Sequence, residues 1–189
     1  MGTRSPGTTG PGGRRPLLGA GLRRDHRDAD RRARRVTKST FFRHFPDKRE
    51  LLVAGQETLS RLLSEGIAEA PEDWSPLDAV AAGLTRASDE MGPLNRELGP
   101  RLRAAVAASA ELRERDALKS VGLAAAMTEA LVARGVADAP ARLASEMGVL
   151  AFGRGFERWT SGGRTDDVPL RDRTLAALTE LREAAAALG

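Results

Sequence analysis

The sequence predicts an all-α protein, and three observations predict it. Apolar residues recur at three- and four-residue steps over most of the chain, the period of helices with one buried face. Ser-Pro, Gly-Pro and lone glycine signals punctuate those stretches where helices start and stop. No stretch of useful length alternates apolar and polar residues as a half-buried strand does. With 189 residues the chain suits one or two domains and can bury a sizeable core.

Taken in order, the first well-marked element is the short helix Thr37–Phe45. Thr37 is placed to cap it, and Pro46 ends it because the residue before a proline disfavours the α region. Phe41 and Phe45 share one face, while Lys38, Ser39, Phe42, Arg43 and His44 spread around the others. Asp47, with Glu50 three residues on, forms a capping box for a long helix bearing Leu51, Leu52, Leu59, Leu62, Leu63 and Ile67. After a connector from Pro71 to Ser75, the Ser75-Pro76 pair with Asp78 opens the next helix. Its face is Leu77, Val80, Ala81, Leu84 and Met91, and Gly92-Pro93 stops it.

A further helical stretch carries Leu94, Leu98, Leu102 and Val106, and Gly99-Pro100 is expected to interrupt it. Ser109 caps a helix running through Leu112, Val121, Ala125, Thr128 and Leu131 to a stop at Gly135. Asp138 and Pro140 open a helix with two apolar faces, Leu143, Met147 and Leu150 on one and Val149, Phe152, Phe156 and Trp159 on the other. Two apolar faces require two buried contacts. Gly148, Gly153 and Gly155 cost that helix roughly 1 kcal/mol each relative to Ala but allow close backbone approach. Asp167 is expected to cap a last helix with Leu170, Thr174, Leu178, Leu181, Ala185 and Leu188 on one stripe.

Composition excludes several functions. There is no cysteine, hence neither a disulfide framework nor a thiolate metal site, and His26 and His44 are too few for a histidine cluster. No cofactor is implied. No paired carboxylates, Ser-His-Asp spacing or phosphate-cradling glycine loop marks an enzyme; Gly153-Arg154-Gly155-Phe156 sits in a helical pattern without the strand a dinucleotide fingerprint needs. No apolar run is long enough to span a bilayer. Arg14-Arg15 faintly evokes a twin-arginine signal, but the apolar part after it is too short, and the reading is a cytoplasmic protein.

Charge is placed unevenly. Residues 1–35 hold ten arginines and three aspartates with no Lys or Glu, a net of +7, which leaves −3 for residues 36–189 of a chain that totals +4. Local basic surplus is the usual footprint of nucleic-acid contact. The same 35 residues contain no Ile, Val, Phe or Trp and recur in Gly and Pro, a composition that predicts disorder.

The string TKSTFFRHFPDKRELL, Thr37 to Leu52, resembles the recognition helix and following turn of the TetR family of one-component transcriptional regulators. Beyond residue 52 the likeness is one of helix pattern. The resemblance implies a TetR-like fold: a helix-turn-helix followed by a helical domain, residues 48–189, for ligand sensing and dimerisation. It implies a homodimer that binds a double-stranded DNA operator and is released by a small-molecule inducer. Thr37, Lys38, Ser39, Thr40, Phe42, Arg43, His44 and Lys48 are the implied DNA contacts. Phe42 stands where the family commonly has a tyrosine, so a phosphate-bonding hydroxyl is missing. Met91, Met127 and Trp159 are candidates to line the ligand pocket. Phe152, Phe156, Leu178 and Leu181 are candidates for the dimer interface.

Residues 1–35 depart from the family, whose recognition helix rests on two preceding helices. Read one base out of register, the codons from Gly12 onward permit AAVALFSERGFDATTVTQIAERAG, which has the look of those two helices and meets Val36 in phase. On this reading residues 1–35 are an out-of-frame translation, and the coding DNA decides it. The competing account is a basic arm that enters a DNA groove. If residues 1–35 are genuine, the alternative function is a helical dimerisation protein defective in DNA binding.

Overall fold

The computed structural model describes residues 48–163 and 166–188, and of residues 48–54 the helical backbone alone. All regular structure among them is helical, in six helices. They are α1 (Lys48–Glu69), α2 (Pro76–Asp89), α3 (Pro93–Ala108), α4 (Ala110–Ala133), α5 (Asp138–Ser161) and α6 (Leu170–Ala186).

The termini follow local chemistry. Ser75 Oγ accepts a hydrogen bond from the Asp78 amide at 3.2 Å, with Pro76 in the first turn where its missing N–H costs nothing. Gly92 precedes α3, and its amide donates to Asn95 Oδ1 at 3.1 Å. Ser109 closes α3 and caps α4, accepting from the Leu112 amide at 3.3 Å. Gly135 ends the α4 turn with φ +87°, a conformation that favours glycine.

α2 is the central helix, with Ala79, Val80, Leu84 and Ala87 essentially inaccessible. It packs against α1, α5 and α6, and touches α4. α1 lies against α2 and α4, and α5 joins α4 to α6. Gln56 meets Gly122, Ser64 bonds Ala126 and Arg134 reaches Ile67, so α1 and α4 run parallel. Leu59, Leu63, Ile67, Leu123, Met127, Leu131, Ala144, Ala151, Ala177 and Leu178 complete the core.

Backbones come closest at glycines. A Cβ on Gly66 would lie 2.7 Å from Gly83 Cα, and one on Gly155 would lie 2.6 Å from Thr174 Cα. Both are separations that no side chain tolerates, and they let α1 cross α2 and α5 cross α6 in backbone contact.

Four expectations change. α3 continues through Pro100, which removes one amide bond without ending the helix. Gly99 beside it is the one buried residue of α3, seated on Phe156 and Thr160 of α5. α6 begins at Leu170 after Pro169, not at Asp167. Asp166 instead pairs with Arg173, and its other oxygen accepts the Val168 amide. On α4 the buried face is Leu112, Leu123, Ala124, Met127 and Leu131, while Val121 is 65 % exposed and Ala125 faces outward. On α5, Met147 is buried but Leu143 and Leu150 are 62 % and 53 % exposed.

Candidate functional site

The stretch that carries the family resemblance leads into α1. Thr37, Lys38, Ser39, Thr40, Phe42, Arg43 and His44 lie outside the described residues. Lys48 is placed as the first residue of α1, its side chain outside the description.

α1 is fastened at its C-terminal end. Arg134, past the end of α4, donates from its guanidinium to four carbonyls at and just beyond the end of α1: Ile67 at 3.1 Å, Ala68 at 3.5 Å, Ala70 at 2.7 Å and Pro71 at 2.6 Å. The last carbonyls of a helix have no intrahelical partner, and a cation there also complements the helix dipole. Ser64 Oγ donates to Ala126 O at 3.2 Å. Arg86 of α2 divides its guanidinium between Glu65 at 2.9 Å and Glu69 at 2.5 Å. Hydrogen bonds from Arg61 and Arg86 hold the Glu65 carboxyl below its ordinary range. Toward the other end of α1, Gly55 has open space where a side chain would stand.

The three pocket candidates occupy three different settings. Met127 is fully buried in the core, its thioether against Gly148, where Val80 of α2 also meets α5. Met91, just after α2, is half-buried at the core edge. Trp159 is buried beneath the Arg96 guanidinium, whose carbon stands 5.7 Å from the ring centre. Arg96 is held there by the carbonyls of Asp166 at 2.7 Å and Gly163 at 3.4 Å. Phe152, Phe156 and Trp159 form a continuous aromatic run, with centroids 6.2 Å and 5.9 Å apart. Nearby, Arg103 donates to Ser161 Oγ at 3.0 Å and keeps one buried nitrogen without a partner.

A cavity lies elsewhere, as an open groove of about 660 Å³ between α1, the following connector, α2 and α6. Its lining includes the small residues Gly66, Ala70, Ala81 and Ala82 and the larger Pro71, Trp74 and Leu175. Glu69, Arg86, Asp89 and Thr85 supply the polar groups. Neither Met91, Met127 nor Trp159 lines it. Sequence reasoning missed this groove because its lining comes from three distant segments. Its one local signal is Trp74, an isolated tryptophan in a polar connector.

Of the four dimer candidates, Leu178 is buried within the chain, and Phe152 and Leu181 are half-buried against its core. Phe156 is half-buried in the aromatic run. The exposed large apolar residues of α5 are Leu143 and Leu150, two turns apart on the face opposite the core. On α4, Leu118, Val121 and Val132 are exposed in the same way.

Among the described residues no helix is long and apolar enough to cross a membrane, and no group of three or more His, Cys, Asp or Glu could hold a metal ion. No family model and no curated protein matches the chain.

Proposed function

We propose that this chain is a TetR-like transcriptional regulator, a repressor released from its operator by a small ligand. The observation that carries the reading is the run from Thr37 to Leu52, a basic and aromatic short helix ending at Pro46 and followed by the Asp47/Glu50 capping box. The start of α1 at Lys48, the residue after Asp47, supports it.

In this reading Lys38, Ser39 and Phe42 approach base edges in the major groove, and Thr37 caps their helix. Thr40, Arg43, His44 and Lys48 hold phosphates or flanking bases. Each good bidentate base contact gives roughly 1–3 kcal/mol of discrimination, whereas phosphate contacts add affinity without sequence preference. Two copies are needed to meet successive major grooves about one helical turn apart. The outward Leu143 and Leu150 of α5 support pairing through that face, a different one from that of the four residues expected from sequence. α1 links the reading head to the helical domain. Fastened by Arg134 and the Gly66–Gly83 crossing, it turns a rearrangement of α2 or α4 into a displacement of its free end.

A second reading rests on a separate observation. Residues 1–35 lack the apolar helical pattern of the two helices that support a recognition helix. A chain with that segment as written is a helical dimerisation protein that binds DNA weakly.

Gel shift across a salt series separates the two. A regulator retains an operator at moderate salt; the dimerisation protein shows weak, sequence-blind binding that collapses as salt rises. In the protein with its first 35 residues translated in the alternative frame, Lys38→Ala weakens operator binding roughly tenfold. Unchanged affinity there removes Lys38 from the interface.

A further inference from the structure

We propose that a second copy of this chain docks on the outer face shared by α4 and α5, with α4 of each copy lying along α5 of the other. This deepens the pairing half of the regulator reading, on which it rests only for the expectation of two copies. It needs nothing of the DNA half.

The first support is where apolar surface stays uncovered. Of nine large apolar side chains exposed among the described residues, five stand on these two helices: Leu118, Val121 and Val132 on α4, Leu143 and Leu150 on α5. With the outward Ala125, the α4 residues follow at steps of three, four and seven, a stripe on the side away from the core. α6 adds no exposed large apolar residue, so the side of Leu178 and Leu181 offers a partner little to bury. α4 and α5 have 24 residues each, about 36 Å of helix. Side by side they present roughly 700 Å² per copy, close to the ~800 Å² per partner of a stable interface.

The second is self-complementarity. α4 and α5 are antiparallel neighbours joined by residues 134–137. Met127 reaches Gly148, which sets Leu143 near the level of Val132 and Leu150 near that of Ala125. A twofold axis crossing the face near Ala125 and Leu150 reverses those levels in the second copy. Leu118 then lies against Leu143 of the second copy, and Ala125 against its Leu150, because both helices repeat at seven residues. The large Leu150 enters the space the small Ala125 leaves.

The third is charge. The offset is 25 residues for both pairs (118 to 143, 125 to 150), and the same offset sets Glu129 opposite Arg154 of the second copy. Both are exposed. Arg158 holds Glu180 by two hydrogen bonds, at 2.7 and 2.8 Å, which leaves the Arg154 donors for a partner. Glu146 and Glu157 lie to one side of the Leu143–Leu150 line, where they can turn to water.

The chain has no cysteine, so engineered thiols are the sole ones present. Within one chain residues 118 and 143 stand roughly 15–20 Å apart along the helices, and each stands as far from its own counterpart across the axis. Only between copies paired as proposed do the two meet. A short bis-maleimide is expected to join chains of the Leu118→Cys/Leu143→Cys variant into a covalent pair on a denaturing gel. It joins an equal mixture of the two single variants as well, and neither single variant alone. Sedimentation gives the second readout: the unmodified chain runs as a pair, and Glu129→Arg or Arg154→Glu alone weakens pairing roughly tenfold while the two together restore it. Circular dichroism stays unchanged throughout. A lone subunit, a double variant that does not couple, single variants that couple equally well, or charge exchange without recovery overturns the proposal. A pair that does not couple through 118 and 143 ends this arrangement and leaves the regulator reading standing; a coupled pair that binds no operator does the reverse.

Discussion

Thr174 is fully buried, yet its hydroxyl has no hydrogen-bond partner. It sits where α6 crosses Gly155 of α5, with backbone atoms too close for any side chain on that glycine. A buried hydroxyl left unmatched costs on the order of 1 kcal/mol or more, and removing it while keeping the shape recovers part of that cost. Thr174→Val is therefore expected to leave stability unchanged or raise it by about 1 kcal/mol, read from the urea midpoint. A clear loss would mean that the hydroxyl has a partner in solution. Arg134 presents the opposite case, one side chain donating to four carbonyls of the neighbouring helix and its connector. Neither behaviour is legible in sequence. A threonine on an apolar stripe and an arginine before a glycine look ordinary until the neighbouring helix is placed.

Element boundaries were largely legible, because they are set by residues adjacent in sequence. Ser75-Pro76, Gly92-Pro93, Ser109 and Gly135 each mark a terminus the structure shows. The Ser75 cap has a measurable weight: Ser75→Ala should cost about 1 kcal/mol, seen as a lower thermal midpoint with helicity retained. Where boundary chemistry competes with packing, packing wins. Pro100 stays inside α3 because Gly99 is pinned on Phe156 and Thr160, and Asp166 answers Arg173 while α6 waits for Leu170. Faces were harder than ends. From Val121 onward α4 is apolar or alanine nearly all round, so periodicity alone did not choose between Val121 and Leu123; contact with α1 and α5 did. The groove was harder still, since small residues become a site only where larger ones on other helices surround them.

At the scale of the molecule, two properties follow from distributed surface groups. Asp78 is drawn below its ordinary carboxyl range by Arg182 and then Ser75, Glu180 by Arg158, and Asp166 by Arg173. A carboxylate with a lowered folded pKa contributes stability above its unfolded value and loses it as pH falls through the folded one. Their ordinary values are 3.8 and 4.5, and no histidine lies among the described residues. The thermal midpoint should therefore hold level between roughly pH 6 and 8 and fall progressively below about pH 4.5. The outward apolar pair on α5 gives the second expectation. If copies pair there, Leu143→Glu with Leu150→Glu converts a dimer to a single subunit by sedimentation, with helicity intact. A chain already monomeric before substitution would end the pairing idea.

The two tryptophans stand in opposite surroundings, Trp74 nearly half in water and Trp159 sealed beneath Arg96. The chain has no tyrosine to blur their light. Its ultraviolet emission is thus a sum of two distinguishable lamps, a redder one at the groove and a bluer one at the α3–α5 seam. Acrylamide should extinguish the first well before the second, so each region can be watched during folding or ligand entry without attaching a dye.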